Sequence, residues 1–288
     1  MRLALSNLRW LAAALVLASL LTACDEPKPS PEPQWRVYAI EYGRTPKFRR
    51  ATLVRGDKTG KTAPFAWSAW LVRGAERTVL VDTGFDDKAL AKQWGLENYR
   101  TVPEGLAGLK LTPEQITDVV LTHAHWDHIG NVTPYQRARV WIQEREYRWA
   151  SKLVSPERPS RGGIRLVDLQ ILDGLLAEGR LNLVAKGATI APGIVLHDGG
   201  GHTEAIQWVE ICTGGPVGTV VLASDTAYLY ENVERVVPTG STTKPERDRS
   251  ALQQMRKTAS RPVLVIPGHD PDTFKRFPEI ARGVVEIR

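Results

Sequence analysis

Three imidazoles and a carboxylate follow one apolar run within six residues: Thr122-His123-Ala124-His125-Trp126-Asp127-His128-Ile129-Gly130 comes directly after Ile116 to Leu121. The run has the composition of a buried β-strand, so the four side chains leave a strand end together. His123 and His125, two apart, converge on one point if the backbone curls around it. Asp127 and His128, on the next turn, are placed to serve a second ion a few ångströms away. The whole chain holds six His, and three of them stand here, which argues against a scatter of surface or core histidines.

Three later residues share this placement. His202 stands in Gly199-Gly200-Gly201-His202-Thr203, Asp225 ends the strand-like run from Val217, and His269 follows the run Pro262 to Ile266 through Pro267-Gly268. Glycines beside a ligand permit the close backbone approach of a crowded metal centre. The complete His-x-His-x-Asp-His pattern at 123–128 resembles the signature of the metallo-β-lactamase superfamily. That resemblance implies an αββα sandwich in a single α/β domain. It also implies two zinc ions, one held by His123, His125 and His202, the other by Asp127, His128 and His269, with Asp225 bridging them. Imidazole and carboxylate sets suit zinc, and Mn, Fe or Co are possible substitutes.

Asp82, in Val81-Asp82-Thr83-Gly84, admits two readings. An Asp before Gly suits a tight turn, and the resemblance places it beneath the metals, where a carboxylate holds the outer N–H of a ligating imidazole. Asp225-Thr226-Ala227-Tyr228 resembles the N-acyl homoserine lactonase branch, whose Tyr points toward the substrate carbonyl. Tyr230-Glu231-Asn232-Val233, Gly268-His269-Asp270 and Phe277-Pro278-Glu279 are similar to that branch too. The catalytic residues implied are Tyr228, as a donor to the developing oxyanion, and Asp127, as a proton carrier to the leaving oxygen. The true β-lactamases of the superfamily generally lack a bridging acid at the place of Asp225, which lowers antibiotic hydrolysis in the ranking. Glu204-Ala205 stands where Pro-Gly is common, and Glu204 is expected to add negative charge near a metal. His197 has no role by resemblance and is expected at the surface or behind the ligands.

The chain begins Met1-Arg2, with Arg9 before an apolar run from Trp10 to Leu21 and then Thr22-Ala23-Cys24. A basic start, a short apolar core and small residues before a cut read as a signal peptide over 1–23. Leu21-Thr22-Ala23-Cys24 resembles a bacterial lipoprotein cleavage site, which implies a lipidated Cys24 and membrane attachment facing the periplasm or exterior. Residues 24–34, rich in proline, read as an extended tether, and 35–288 as the hydrolase domain. About 265 residues would remain after cleavage, enough for one sizeable core. The only other cysteine, Cys212, sits in a strand-like stretch, reads as a small buried hydrophobe and leaves no disulfide framework. The net charge of +6 is scattered, falls to +4 when Arg2 and Arg9 leave, and gives no nucleic-acid module.

Strands are expected over Trp35 to Gly43, Arg50 to Arg55, Phe65 to Val72 and Thr78 to Val81, the last two as an antiparallel pair. A helix is expected to begin at Ile129 to Val132 and fix His128 from behind, and Arg247 to Lys257 is helical by pattern. The polar stretch Leu153 to Gly163 reads as a loop or cap. Trp67, Trp70, Trp126 and that stretch are expected to wall a pocket suited to an acyl chain. The favoured activity is opening of a lactone ring, with N-acyl homoserine lactone first, by a dinuclear zinc hydrolase. The alternatives are another carboxylic ester or thioester hydrolase, as in glyoxalase II, a phosphoester or β-lactam hydrolase, and a non-catalytic metal-binding lipoprotein. The sequence does not fix the oligomeric state.

Overall fold

The computed structural model describes residues 34–74 and 76–288. Its strands are β1 (Arg36–Arg49), β2 (Thr62–Arg73), β3 (Thr78–Val81), β4 (Asp118–Val120), β5 (Arg139–Gln143), β6 (Ser160–Arg161), β7 (Ile164–Arg165) and β8 (Leu181–Val184). Then come β9 (Ala188–Ala191), β10 (Ile194–Asp198), β11 (Gln207–Cys212), β12 (Thr219–Ser224), β13 (Val265–Pro267), β14 (Glu279–Ala281) and β15 (Val284–Ile287). The helices are α1 (Arg50–Leu53), α2 (Lys88–Gln93), α3 (Val102–Ala107), α4 (Trp126–Ile129), α5 (Glu144–Ala150), α6 (Leu166–Ala177), α7 (Tyr230–Arg235), α8 (Pro245–Thr258) and α9 (Thr273–Arg276).

Eight strands form one sheet in the order β14-β15-β1-β2-β3-β4-β5-β8, and five form a second in the order β13-β12-β11-β10-β9. Period-2 alternation sorts their side chains into layers. Trp70 and Val72 of β2, Val79 and Val81 of β3, and Val220 and Leu222 of β12 meet in one core between the sheets. Ala69, Leu71 and Leu80 face the other way, onto Leu106 of α3 and Leu169, Leu172 and Leu175 of α6. Val221 and Ala223 face Leu252 and Met255 of α8. The result is the expected sandwich of two mixed sheets with helices on both outer faces.

β2 and β3 pair antiparallel as expected, whereas β3, β4, β5 and β8 run parallel. Arg50 to Arg55 is not a strand: β1 continues to Arg49 and the chain turns through α1, whose Leu53 is buried in the outer core. The expected helix after Ile129 ends there instead, because His125 is extended and the helical turn starts at Trp126, so that Asp127 and His128 lie within it. Cys212 is exposed rather than buried. It shares the outer face of β11 with Trp208 and Glu210 but lies at the strand's far end, beyond the apolar cover that buries Trp208. The expected signal peptide, Cys24 and nearly all of the tether lie outside the described residues. Among those described, no helix is long and apolar enough to cross a membrane.

Candidate metal centre

Every expected ligand projects from a strand end at one edge of the sandwich. His123 and His125 follow β4, Asp127 and His128 sit in α4, His202 lies between β10 and β11, Asp225 follows β12 and His269 follows β13. Two groups of ligand atoms converge, each within 4.8 Å: His123, His125, His202 and Asp225 in one, Asp127, His128 and His269 in the other. The two oxygens of Asp225 divide between them. Oδ2 lies 3.1 Å from His202 Nε2 and 3.7 Å from His123 Nε2, and Oδ1 lies 2.8 Å from His269 Nε2 and 3.2 Å from His128 Nε2.

The hydrogen bonds behind the rings decide which nitrogens face inward. Asp82, in the left-handed region at φ 62, accepts from Thr122 N–H and Thr122 Oγ1–H, both at 2.8 Å, and from His128 Nδ1–H at 2.7 Å. Because Thr122 gives its only hydroxyl proton to Asp82, His123 Nδ1, 3.1 Å from Thr122 Oγ1, is the donor there. His269 Nδ1–H donates to the Ala66 carbonyl at 2.8 Å. The same bookkeeping makes His202 Nδ1 a donor to Ser241 Oγ at 3.3 Å, since Ser241 gives its proton to Tyr228 Oη at 2.9 Å. In their neutral form, the one that binds a cation, these four rings turn an unprotonated Nε2 inward, and His128 Nε2 is buried without a hydrogen-bond partner. Nitrogen lone pairs held 3.0–3.1 Å apart, as between His125 Nδ1 and the Nε2 atoms of His123 and His202, repel unless a proton or a cation lies between them. The donor set thus fits a pair of divalent cations: this is a dinuclear metal-binding site.

The electrostatics agree. Burial, with cationic neighbours adding to it, holds His123 well below the usual histidine range and His125 down at about 3, so both stay neutral and able to bind a cation. Burial also works against the charge on Asp225, but the facing histidines, His128 foremost, outweigh it and keep the carboxylate ionised. α4 is pinned from outside by Tyr42 Oη, which donates to the Asp127 carbonyl at 2.9 Å, and by Thr83 Oγ1, which donates to the His128 carbonyl at 2.9 Å.

A cavity of about 500 Å³ opens onto the cluster. Phe48, Phe65, Trp67, Leu90, Trp94 and Trp126 form its apolar wall, with His125, Asp127, His202, Asp225, Tyr228 and Ser241 at its polar end. His269, Phe65, Phe48 and Trp94 stack in sequence, with centroid spacings of 4.0, 4.4 and 6.2 Å, from the cluster out to the rim. Trp67 and Trp126 line the cavity as expected, but Trp70 does not: one residue of alternation from Ala69, it points into the core between the sheets. The hairpin β6-β7 caps the site, since the Gly163 carbonyl accepts from Trp126 N–H and Gly163 lies against the ring of His125. At φ +85, a Cβ on Gly163 would stand 2.7 Å from His125 Cδ2.

Glu204 does not bring charge to the metals: its carboxylate is taken up by Arg145 at 2.6 Å and Lys244 at 2.5 Å. His197 stacks on Trp208 and pairs with Glu210 at 2.7 Å, away from the cluster. Three contributors gave no sequence signal. Glu146 of α5 is fully buried and accepts from the N–H of Ala124 at 3.1 Å and of Ala205 at 2.8 Å, tying together the two loops that carry His123, His125 and His202. Ser241 reaches Tyr228 and His202 from a loop far along the chain, and Phe48 reaches the wall from β1.

Residues 63–269 match the family model described as the metallo-beta-lactamase superfamily. The chain is 27% identical over 240 residues to the N-acyl homoserine lactonase AiiB of Agrobacterium fabrum, covering 76% of this chain and 84% of that protein. It is 26% identical over 230 residues to the N-acyl homoserine lactonase AiiA of Bacillus thuringiensis subsp. kurstaki, covering 73% and 84%. Among solved structures, a quorum-quenching N-acyl homoserine lactone lactonase superposes with a TM-score of 0.70 at 22% identity, over 84% of this chain and 95% of that one. The dizinc quorum-quenching lactonase AidC superposes with a TM-score of 0.63 at 16% identity, over 83% and 89%.

Proposed function

The chain belongs to the metallo-beta-lactamase superfamily and is a metal-dependent hydrolase, and from that premise we propose that it opens the ring of N-acyl homoserine lactones. The observation that carries the substrate is the shape of one cavity, in which an aromatic wall runs from the rim to His269 and ends beside a phenol, Tyr228. An acyl chain gains by leaving water along such a wall, at about 25 cal/mol per Å² of apolar surface. Likeness to the lactonases over most of their length supports the same reading.

In this proposal His123, His125, His202 and Asp225 would hold one cation and Asp127, His128 and His269 the other, with the two oxygens of Asp225 divided between the groups. Such a pair of divalent cations, when bound, would supply an activated water and carbonyl polarisation. The residues of the chain do the rest. Tyr228 Oη, free to donate because it accepts from Ser241, stabilises the negative charge that grows on the carbonyl oxygen. Asp127, at the polar end of the cavity, carries a proton to the leaving alkoxide. The aromatic wall and the β6-β7 cap orient the acyl chain and keep bulk water from the reacting bond.

The test is proton release from lactones of graded acyl length, beside a thioester and a β-lactam, by zinc-loaded protein. Rapid opening of acyl homoserine lactones that chelation abolishes is the expected result. Cleavage of the thioester with no lactone turnover would assign the same site to a different acyl transfer.

We further propose that residues 1–23 are an export signal, that Cys24 is lipidated and that 24–34 tethers a hydrolase domain of 35–288 to the outer side of a membrane. This rests on Arg2, Arg9, the run Trp10 to Leu21 and the Leu-Thr-Ala before Cys24. Labelled fatty acid should enter the wild-type chain in a bacterial host and not the Cys24→Ser variant. Equal labelling of both would refute it.

A further inference from the structure

We propose that Ser241 is a positioning residue that sets the direction of the Tyr228 hydrogen bond, so that the phenol proton points to the substrate; this rests on the reading of Tyr228 as the oxyanion donor. The geometry comes from a saturated hydroxyl. Ser241 Oγ donates to Tyr228 Oη at 2.9 Å, and the two other polar groups within reach are His202 Nδ1 at 3.3 Å and Thr239 Oγ1 at 3.1 Å. With its one proton committed to Tyr228, Ser241 accepts from both of these, which fills its two lone pairs. A chain of donors then runs one way, from His202 Nδ1–H to Ser241 Oγ–H to Tyr228 Oη–H and on into the cavity. Each member lines or abuts that cavity.

A hydroxyl that merely wandered would hold no direction, but the loop carrying Ser241 is bolted at both ends. Gly240 N–H donates to the Thr52 carbonyl at 2.8 Å, and a Cβ at Gly240 would stand only 1.8 Å from the Ala51 carbonyl oxygen. On the other side, Thr243 gives both its N–H and its Oγ1–H to the Gly201 carbonyl, at 3.1 and 3.0 Å. Ser241 is thus fixed against α1 and against the loop that carries His202. Asp225 lies within reach of the phenol and competes for its proton, so without the Ser241 hydrogen bond more of the proton's time is lost to that carboxylate. An accepted hydrogen bond also makes the phenol a stronger donor.

A double-mutant cycle separates this role from a structural one. At saturating zinc Ser241→Ala should lower kcat roughly tenfold, the scale of one lost hydrogen bond, with KM unchanged and both metal sites filled, and Ser241→Thr should restore most of it. In a Tyr228→Phe background Ser241→Ala should cost nothing further. The cycle needs only a carbonyl substrate, so it is run on whichever lactone or thioester the wild type cleaves. A readout independent of turnover is the ¹³Cζ resonance of Tyr228 in metal-free protein, assigned by its absence from Tyr228→Phe; it should move in Ser241→Ala and return in Ser241→Thr. If Tyr228→Phe costs turnover while Ser241→Ala leaves both kcat and the resonance unchanged, the proposal fails and the reading of Tyr228 survives. If Tyr228→Phe leaves kcat unchanged, both fall. A kcat loss in Ser241→Ala that appears only where zinc sites stay unfilled, or an equal loss of kcat in the two backgrounds, would also overturn the role through Tyr228.

Discussion

Asp82 sits behind the ligands, yet two of the six histidines take their orientation from it. Its Oδ2 accepts directly from His128 Nδ1–H and, through Thr122 Oγ1, sets His123. An amide there keeps the shape but offers one acceptor atom where two are used, and its NH₂ opposes the N–H or O–H groups it meets. Asp82→Asn should therefore weaken metal binding by about 10- to 100-fold, while turnover per loaded site falls much less. Competition against a chromogenic chelator measures the first and activity at saturating zinc the second; unchanged affinity would reduce Asp82 to a turn residue. The sequence kept both readings of Asp82 open, because a strand-end Asp before Gly serves either. The seven metal-facing residues were legible because four stand in one motif and the other three at strand ends beside glycine, proline or a turn. Glu146 and Ser241 were not legible. Each is a common residue type in an ordinary context, and its partners at Ala205 and Tyr228 lie 59 and 13 residues away.

Strand β4 presents the His123–His128 loop at one end, and at the other it is braced to its neighbours β3 and β5 by a single carboxylate. Asp118 of β4 is fully buried and pairs with Arg77 through two oxygens, while Thr117 Oγ1 and Trp141 Nε1 of β5 donate to it at 2.7 and 2.9 Å. Arg77 reaches on to the Ile190 carbonyl of β9, so the brace also crosses to the second sheet. Arg77→Ala would leave a buried charge with only the exposed Arg139, 3.5 Å away, as counter-ion, a loss of about 3 kcal/mol and, in a domain of this size, roughly 6–12 °C in Tm. Metal affinity should hardly change. Acid should loosen the same brace. Burial pushes Asp118 up, but its hydrogen bonds, that from Arg77 foremost, outweigh burial and hold it below the ordinary carboxylate value. Its stabilisation is then complete above pH ~4 and is lost as pH falls through the lowered value; an Arg77→Ala variant whose acid unfolding matches the wild type would contradict this. At this scale the sequence reads well wherever alternation or an apolar run is long, as in β2 and β12. It fails at short turns such as α1 and α4, where one extended residue, Arg49 or His125, decides where the helix starts.

The two sheets share an apolar core, but the site joins them a second time. His123, His125, Asp127 and His128 come from the loop after β4 in the eight-stranded sheet; His202, Asp225 and His269 come from the five-stranded one. A cation held by residues of both is a cross-link, and it binds the folded chain alone, since the unfolded chain has no converged ligands. Without cations three buried carboxylates, Asp82, Asp127 and Asp225, crowd the edge, and His128 is driven well above the usual histidine range by them against the pull of burial. Chelation should therefore cost stability as well as activity. At free zinc a hundredfold above the dissociation constant one site contributes about 2.7 kcal/mol, which corresponds to roughly 5–10 °C in Tm for a domain of this size. Scanning calorimetry of zinc-loaded, chelated and zinc-restored protein should show the midpoint fall and return together with lactone opening. If activity alone followed the metal while the midpoint stayed put, the sheets would be held by their apolar core without help from the site. The ligand loops would then be preformed, with Asp82, Glu146 and Ser241 as the residues that hold them.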